Sequence, residues 1–316
     1  MKTHAVVLEQ PGRIVMRDLD LNPAHAHDLV VDVDWSGIST GTERLLWTGT
    51  MPAFPGMGYP LVPGYEATGH VSAAPPGCPL EIGSRVFVPG AQAFTSVRSL
   101  FGASAARLVV PVERVVPVDD ALGDRSVLLA LAATAYHALA APGALPPELI
   151  VGHGVLARIM ARIALVRGAG RVEPPLVWEI DYARGAGARG YRVIHPDADS
   201  RRDYRSIYDV SGDADILDRL ISTMAPGGEL TLAGFYSQRP AFDFAPAFIR
   251  ETRIRVAAQW TPPDLQAVTA MVADGSLSLD GLITHHACAS DASRAYEQAF
   301  DDVDCLKMVL DWRQQR

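Results

Sequence analysis

Residues 149–168 read LIVGHGVLARIMARIALVRG, and this stretch decides the fold that we predict for the chain. A short apolar run is followed by a turn in which Gly152, Gly154 and Ala157 match the pattern G-x-G-x-x-G/A, and then by an apolar helix. In such a turn the first glycine permits the tight bend, and the second allows the backbone to approach a pyrophosphate. The small third residue lets the helix pack closely on the strand, and the helix N-terminus faces the phosphate charge. We therefore predict a dinucleotide site, with a strand–helix turn that binds no ligand as the alternative.

The strand that follows this helix, PPLVWEID (174–181), ends in an acidic residue, Asp181. An acid at this position accepts hydrogen bonds from the ribose hydroxyls of NAD and would repel the additional phosphate of NADP. Asp181 lies slightly farther from the glycine turn than is usual, and the extra segment RVEPP (171–175) can account for the longer spacing. Arg184 follows closely in the sequence and could reduce the preference for NAD over NADP. The sequence favours NAD as the cofactor.

The arrangement of strand and helix patterns divides the chain into three segments. Residues 1–120 are rich in short strand patterns that prolines interrupt, such as the alternating DLVVDVDWSGIS (28–39). Residues 121–260 alternate strands with helices, which predicts a doubly wound parallel sheet. Residues 261–316 return to helix, loop, helix and a terminal strand, KMVLDW. We predict the α/β class, with a β-rich domain followed by a nucleotide-binding domain.

Composition and charge exclude several classes of protein. The chain has 316 residues, of which 48% are hydrophobic, and a net charge of -8 without a basic cluster, so nothing favours nucleic acid as a partner. Its three cysteines are far apart, which argues against a disulfide framework and fits a reducing compartment. The N-terminus has no apolar signal region, and the most apolar window, residues 127–141, is too short to span a bilayer. We expect a cytoplasmic protein without an integral membrane segment.

Five motifs together resemble the medium-chain dehydrogenase/reductase family, and the resemblance extends over essentially the whole chain. They are GISTGTE (37–43), LVPGYE (61–66), AATAYHAL (132–139), VGHGVLA (151–157) and DVSG (209–212). The resemblance implies a GroES-like β domain, a central Rossmann domain, and a C-terminal segment that completes the first domain, with the active site in the cleft between the two. It implies that the nicotinamide lies near Thr134 and the turn at Ser211 and Gly212. Dimers are common in such families, so a homodimer is an open expectation.

The resemblance also identifies the positions at which zinc-dependent members of the family bind their metal. Those members carry Cys-Gly-Thr/Ser-Asp, Gly-His-Glu and a later cysteine, and the ligand positions are held here by Thr40, Tyr65 and Ala130. Alanine cannot bind a metal, and neutral threonine and tyrosine hydroxyls are poor zinc ligands. Glu66 alone cannot hold zinc. We therefore expect no metal.

Four residues in these motifs are candidate catalytic residues. The hydroxyl of Tyr65 could bond the substrate oxygen in place of the metal and move its proton, or Tyr65 could simply fill the emptied cavity. Thr42 matches the hydroxyl that begins the proton relay in the zinc enzymes. Glu43 and Glu66 are candidates for orienting or tuning carboxylates, although Glu43 is equally compatible with a structural anchor.

Among the zinc-free branches, residues 37–69, the VGHGVLARI turn and residues 177–196 resemble dehydrogenases of bacteriochlorophyll a biosynthesis. The resemblance implies a tetrapyrrole substrate: a 1-hydroxyethyl side chain on a chlorin or bacteriochlorin ring is oxidised to an acetyl group, and NAD accepts the hydride. The apolar loop between the two active-site motifs could line a wide pocket, or could be an ordinary loop pinned to the β domain. The candidate pocket residues are Thr40, Trp47, Met51, Phe54, Met57 and Tyr59.

Two other functions remain open. A zinc-free reductase of the same family would act on quinones or activated alkenes, usually with NADPH, and Asp181 argues against it. A non-catalytic nucleotide-binding protein would not need Thr42 and Glu43. The adjacent His285 and His286 could ligate the magnesium of a pigment, but neighbouring side chains point in different directions, so we interpret them as a surface pair.

Overall fold

The computed structural model describes residues 1–53, 55–181, 183–257 and 259–315, and it divides the chain into two compact units. The first unit comprises Met1–Ala130 and Asp280–Arg316, and the second comprises Leu131–Leu279. Both boundaries lie later along the chain than residues 120 and 260, at which the sequence suggests the divisions.

The strands and helices follow the predicted order, with a β-rich region first and alternating elements later. In chain order, the strands are β1 (Lys2–Gln10), β2 (Arg13–Asp20), β3 (Asp28–Ile38), β4 (Leu61–Pro63), β5 (Ala67–Ala73), β6 (Arg85–Val88), β7 (Arg98–Leu100), β8 (Arg107–Pro111), β9 (Val116–Pro117), β10 (Leu149–Val151), β11 (Leu176–Trp178), β12 (Arg192–Ile194), β13 (Tyr204–Asp209), β14 (Met224–Leu232), β15 (Arg253–Val256), β16 (His285–Cys288) and β17 (Met308–Asp311). The helices are α1 (Thr42–Thr48), α2 (Leu129–Ala140), α3 (Val155–Gly168), α4 (Leu217–Thr223), α5 (Phe244–Ile249), α6 (Pro262–Ala273) and α7 (Ala292–Asp301).

The first unit is built from two sheets with the strand orders β2-β1-β4-β7 and β16-β17-β3-β5-β6-β9, and β8 also pairs with β3. The terminal strand β17 pairs antiparallel with β3, so that Met308 lies opposite Ile38. The C-terminal segment therefore completes the first unit. The sequence suggests a loop at His285–Cys288, because these residues show no regular alternation of apolar and polar side chains. The structure has strand β16 there, which forms by pairing with β17.

The second unit contains a parallel sheet of order β12-β11-β10-β13-β14-β15, which confirms the predicted doubly wound fold. The order of strands along the chain reverses between β10 and β13, and ligands of such sheets bind where the carboxyl ends of these two strands meet. Helix α6 belongs to this unit and begins at a capping box between Thr261 and Asp264, whose carboxylate also contacts Nδ1 of His137 at 2.8 Å.

The apolar window around residues 127–141 contains helix α2, in which Ala132, Ala133 and Ala135 are fully buried. Within the described parts of the chain, no helix has both the length and the apolarity that crossing a membrane would require.

Candidate active site

The glycine turn lies at the point where the order of the parallel strands reverses. Gly152 has φ of +93°, a conformation that favours glycine, and a Cβ atom there would stand 3.4 Å from the Cα of Ser211. The turn after β10 and the turn after β13 are therefore neighbours, as the predicted roles of Gly152, Ser211 and Gly212 require. Ala157 is fully buried where helix α3 begins, as the predicted close packing of helix and strand requires.

This turn has the features that a dinucleotide pyrophosphate needs. Helix α3 has 14 residues, and its N-cap, Gly154, bears no side chain. Among the described residues, no atom lies within 4 Å of the place where a Cβ of Gly154 would stand, so its backbone is open to an approaching phosphate. The peptide N–H groups and the dipole at the start of α3 favour a bound anion. The residues present therefore fit a dinucleotide.

The neighbouring turn at Ser211 and Gly212 is held by a buried carboxylate. Asp209 Oδ1 accepts hydrogen bonds from the backbone N–H and the hydroxyl of Ser211, at 2.9 and 2.6 Å. Its Oδ2 accepts the hydroxyl of Tyr236 at 2.5 Å. Thr134, the other residue predicted near the nicotinamide, is half-buried in helix α2. The structure thus fixes one of the two predicted nicotinamide segments firmly against the glycine turn.

The acidic residue that contacts the glycine turn is Glu179, two positions before the predicted Asp181. Glu179 Oε2 accepts the backbone N–H of His153 at 2.9 Å, and Oε1 accepts the N–H of Asp181 at 3.0 Å. The parallel register pairs Val151 with Trp178, which places the residues that follow these two strands side by side. This register could have identified Glu179 from the sequence, and the ribose role of Asp181 stays a prediction.

A cluster of hydroxyl groups forms in the first unit, around the start of helix α1. The hydroxyls of Tyr65 and Ser39 are 2.7 Å apart, and Ser39 Oγ accepts the backbone N–H of Thr42 at 3.3 Å. The ring of Tyr65 stands edge-on to Phe101, with the centroids 5.5 Å apart. Burial, reinforced by the nearby carboxylate of Glu66, raises the pKa of the Tyr65 phenol, which stays protonated at neutral pH.

Ser39, the partner of Tyr65 in this cluster, was not among the site residues predicted from the sequence. Thr40 is half-buried beside it, at the position that the family motif suggested for the lost metal ligand. The signal for Ser39 was its place directly after Ile38, at the end of strand β3. The backbone before Tyr65 is also constrained, because Gly64 has φ of +98° and a Cβ there would stand 2.4 Å from the hydroxyl of Ser104.

Beside this cluster, the carboxylate of Glu43 is buried and held at both oxygens. Oε1 accepts the backbone N–H of Ser39 at 3.2 Å, and Oε2 accepts the hydroxyl of Tyr296 at 2.5 Å. Burial raises the pKa of Glu43 to about 7, against the opposing effect of the Tyr296 hydrogen bond. Tyr296, on helix α7, was not identified from the sequence. Glu43 therefore changes charge near neutral pH while contacting the backbone of the hydroxyl cluster.

Glu66 forms a buried ion pair with Lys307, a second partner from the C-terminal segment. Both side chains are shielded from solvent, with exposed fractions of 0% and 1%. Burial raises the pKa of Glu66, and the ammonium group of Lys307 opposes this. A Cβ at Gly37 would stand 2.3 Å from Oε2 of Glu66, so strand β3 accommodates the pair only because it has a glycine there. This partner makes Glu66 a structural anchor as well as a candidate tuning group.

The donor atoms at the three expected ligand positions do not fit a zinc ion. Ala130 is buried and offers only a methyl group, while the hydroxyl of Tyr65 is bonded to Ser39. Neutral hydroxyls are poor zinc ligands. Elsewhere in the described ranges, no three His, Cys, Asp or Glu side chains are grouped so that they could hold a metal ion.

Of the predicted pocket residues, Trp47 lies in helix α1, and Met51, Met57 and Tyr59 lie in the loop that follows it. All four are partly buried against the hydrophobic core of the first unit. The hydroxyl of Tyr59 donates to the carbonyl of Leu46 at 2.6 Å. Trp47 stacks at an angle on a ring from α7, and the carbonyl of Met57 accepts a guanidinium hydrogen bond. These contacts support the alternative of a pinned loop, and a role in a pocket stays a prediction; Phe54 lies outside the described residues.

The two adjacent histidines of strand β16 have separate carboxylate partners. Nε2 of His286 lies 2.6 Å from Asp124 Oδ2, and Nε2 of His285 lies 3.4 Å from Asp302 Oδ2. Because the two rings engage different parts of the unit, they do not converge on one metal ion.

Comparison with known proteins identifies close relatives over the whole chain. The family model of the alcohol dehydrogenase GroES-like domain matches residues 25–120. Two proteins described as 2-desacetyl-2-hydroxyethyl bacteriochlorophyllide A dehydrogenase are each 52% identical, one from Cereibacter sphaeroides over 318 residues and one from Rhodobacter capsulatus over 314. Both alignments cover 99% of this chain and 99% of the relative.

Solved structures show the same fold at low sequence identity. An alcohol dehydrogenase of Escherichia coli CFT073, complexed with NADH, is 18% identical with a TM-score of 0.80 and covers 98% of this chain and 99% of its own. A dehydrogenase of Sinorhizobium meliloti 1021, described as zinc-binding and bound to NADP, is 17% identical with the same TM-score and the same coverage. These likenesses confirm the combination of a GroES-like unit and a Rossmann unit.

Proposed function

Since this chain belongs to the family of the 2-desacetyl-2-hydroxyethyl bacteriochlorophyllide A dehydrogenases, we propose the corresponding reaction for it. The chain is a dehydrogenase that oxidises the 3-(1-hydroxyethyl) group of a chlorin or bacteriochlorin to an acetyl group in bacteriochlorophyll a biosynthesis. The observation that carries this proposal is the 52% identity over nearly the full length of both proteins.

We propose NAD as the cofactor, bound at the glycine turn of the second unit. When bound, it accepts a hydride from the carbinol carbon of the substrate. The turn at Gly152 and Gly154 receives the pyrophosphate, and an acid after β11 receives the adenosine ribose. A fixed carboxylate at Glu179, with Asp181 close by in sequence, supports NAD over NADP because it would repel a 2′-phosphate.

We propose that the hydroxyl cluster holds the alcohol oxygen. Ser39 Oγ accepts the N–H of Thr42, so its own hydrogen is available to donate to the oxygen of Tyr65. The side chain of Thr42 also has a hydrogen bond with the Tyr65 hydroxyl. If Ser39 and Thr42 both donate to the Tyr65 oxygen, the hydrogen of Tyr65 is available to a substrate oxygen. Because its pKa is raised, Tyr65 serves as a hydrogen-bond donor to the oxygen as negative charge develops there, and not as the base.

In this proposal, hydrogen bonds stabilise the negative charge that develops on the alcohol oxygen, the role that zinc has in other branches of the family. The alcohol lies next to a conjugated macrocycle, and conjugation of the carbonyl product makes oxidation easier. A modest oxyanion-stabilising group is therefore sufficient. Metal independence is supported by the donor set, in which Ala130 replaces a ligand and the Tyr65 hydroxyl is already engaged.

We propose that two copies of the chain form a dimer through the edge strand β15. This strand pairs with β14 on one side, and on its other side the described residues supply no partner strand. Phe248, Ile249 and Val256, in α5 and β15, are exposed by 67%, 75% and 75%. An unpaired edge beside exposed apolar side chains favours a self-complementary interface. Light scattering measures the oligomeric state, and a monomer at micromolar concentration would contradict the proposed dimer.

We also propose a cytoplasmic location. The support is the state of the cysteines, because Cys78, Cys288 and Cys305 are all free thiols in the structure. Free thiols without disulfides suit a reducing compartment.

The proposed reaction is tested by incubating the purified protein with NAD and a 3-(1-hydroxyethyl) chlorin. We expect a shift of the long-wavelength absorption band, as the ring gains a conjugated acetyl group, with one NADH formed per product molecule. Reduction of NAD without the spectral shift, or no turnover of chlorins and bacteriochlorins alike, would contradict the proposal. A preference for quinones with NADPH would favour the alternative reductase.

A further inference from the structure

One carbonyl oxygen in the second unit receives two buried donors that no part of the proposed chemistry uses. The carbonyl of Arg184 lies 2.5 Å from Nδ1 of His153 and 2.9 Å from Nη2 of Arg158. His153 is the middle residue of the glycine turn, with an exposed fraction of 0%, and Arg158 lies in the first turns of α3. The turn and the loop that follows β11 are thus tied together by side chains.

The imidazole of His153 is fixed in one tautomer. A carbonyl can only accept a hydrogen bond, so Nδ1 carries the hydrogen and donates to Arg184. Nε2 is then the acceptor, and it receives the hydroxyl of Tyr191 at 2.9 Å. Burial lowers the pKa of His153 to about 4, so the ring is neutral at physiological pH. The ring therefore links three separate parts of the unit without carrying charge.

Arg158 is an unusual residue at its position. A buried cation near the N-terminus of a helix is disfavoured by desolvation and by the helix dipole. Its Nε donates to the carbonyl of His153 at 3.0 Å, which joins the turn to the same guanidinium that holds Arg184. The loop also approaches closely, since Gly187 has φ of +82° and a Cβ there would stand 2.4 Å from Nη1 of Arg158. The loop is closed over the guanidinium.

The loop held in this way begins at the acid that faces the glycine turn. Glu179 accepts the backbone N–H of His153 and that of Asp181, and the N–H of Arg184 donates to the carbonyl of Asp181 at 3.1 Å. A continuous chain of hydrogen bonds therefore leads from the side chains of His153 and Arg158 to the carboxylate of Glu179. Movement of the loop would move the surface presented to an adenosine ribose.

We propose that His153 and Arg158 are positioning residues that hold this loop in the shape that selects NADH over NADPH. The inference rests on the dinucleotide site of the proposed function and is independent of the tetrapyrrole substrate. Without the hydrogen bonds from His153 and Arg158, the loop would have to become ordered when NADH binds, and this would lower the affinity for NADH. A mobile loop would also keep the carboxylate less firmly at the ribose, which relaxes the exclusion of a 2′-phosphate.

The test is titration of NADH, NADPH and ADP-ribose into the full-length protein without any chlorin, following fluorescence or heat. We expect His153→Ala to weaken the binding of NADH and of ADP-ribose about tenfold, the scale of one or two lost hydrogen bonds. The binding of NADPH should weaken by less than about threefold. His153→Asn is the matched control, because the asparagine Nδ2 stands close to the position of the histidine Nδ1. We expect this variant to recover at least half of the lost NADH affinity, on a logarithmic scale.

Arg158→Met provides a second test of the same tie. Like His153→Ala, it is expected to lower the ratio of the NADPH dissociation constant to the NADH dissociation constant. Tyr191→Phe, which removes only the donor to Nε2, should leave that ratio within about twofold of wild type. Equal weakening of NADH and NADPH in His153→Ala, or an unchanged ratio in both His153→Ala and Arg158→Met, would overturn the proposal. Because no chlorin is present, failure to oxidise the tetrapyrrole would leave this result unaffected.

Discussion

The hydroxyl of Tyr65 lies 2.7 Å from the hydroxyl of Ser39 in the first unit. In the proposed reaction this pair supplies a polarised hydrogen-bond donor in place of a cation. Ser39 is itself oriented by the backbone N–H of Thr42. In the proposed reaction the two hydroxyls have different roles: Tyr65 contacts the substrate oxygen, and Ser39 positions Tyr65.

The first prediction separates these roles. Tyr65→Phe should lower kcat about 100-fold, the scale seen when one donor to a developing oxyanion is removed. Ser39→Ala should lower kcat about tenfold, because it acts only through Tyr65. Steady-state kinetics with a 3-(1-hydroxyethyl) chlorin should show KM unchanged within about threefold in both variants.

Thr48, at the end of helix α1, supplies the matched control, since its hydroxyl donates to the carbonyl of Arg44 at 3.0 Å and has no predicted part in the site. Thr48→Ala should retain kcat within about twofold. Equal losses in Ser39→Ala and Thr48→Ala would show that the contact between Ser39 and Tyr65 has no special part in the reaction.

A second prediction concerns the pH dependence of stability. Burial raises the pKa of Glu43 from 4.5 to about 7 in the folded protein. Between these two values the unfolded chain has released a proton that the folded chain retains, so the contribution of Glu43 is full below pH 4.5 and is lost as pH rises through 7. The loss is at most about 3 kcal/mol.

Urea unfolding of wild type and Glu43→Gln between pH 5 and 8 measures this contribution. Stability relative to the variant should fall with rising pH, because glutamine cannot ionise. Glu297→Gln, on the exposed side of the helix that carries Tyr296, is the control and should follow the wild-type curve. Parallel curves for wild type and Glu43→Gln would show that Glu43 is ionised throughout the range.

The third prediction is that the carboxylates after β11 set the choice of nucleotide. Glu179→Gln should weaken NADH about tenfold and leave NADPH nearly unchanged, because the charge that repels a 2′-phosphate is lost. Asp181→Ala should act in the same direction with a smaller effect. Dissociation constants from direct titration measure the effect of each variant. An equal loss of affinity for NADH and NADPH in either variant would show that the substituted residue does not contact the ribose.

The fourth prediction concerns the buried pair of Glu66 and Lys307. Lys307→Met should destabilise the protein by about 3–5 kcal/mol, because it leaves a buried carboxylate without its cation. Adding Glu66→Gln to Lys307→Met should restore more than half of the loss. Arg13→Met, which breaks a largely exposed pair with Glu9, should cost less than about 1 kcal/mol in the same chemical denaturation experiment. A double variant no more stable than Lys307→Met would contradict the uncompensated charge as the cause.

The sequence predicted the parts of the molecule that depend on local patterns. The strand, glycine turn and helix at 149–168 follow from apolar runs and from glycines at fixed spacing, so the doubly wound sheet could be anticipated. The absence of zinc-ligating side chains at Tyr65 and Ala130 can be seen in the sequence, and metal independence stays a prediction. The contact of Glu179 with the glycine turn follows from the register of two parallel strands, and the ribose role of Asp181 stays a prediction.

The remainder depends on contacts between residues that are distant in the chain. Tyr296 reaches Glu43 across 253 positions, and Lys307 reaches Glu66 across 241. No local periodicity indicates such pairs, since they arise only when the C-terminal segment adds β17 to the sheet next to β3. The tie between His153 and Arg184 is shorter, at 31 positions, but it joins a side chain to a backbone carbonyl that no sequence pattern marks.

Metal independence is tested by turnover of protein that has been dialysed exhaustively against a chelator, with its metal content measured by mass spectrometry. Metal-free protein should convert a 3-(1-hydroxyethyl) chlorin and NAD into the acetyl product and NADH at the rate of the untreated protein, and Tyr65→Phe should abolish most of this rate. Activity that disappears on dialysis and returns only with added zinc would contradict metal independence.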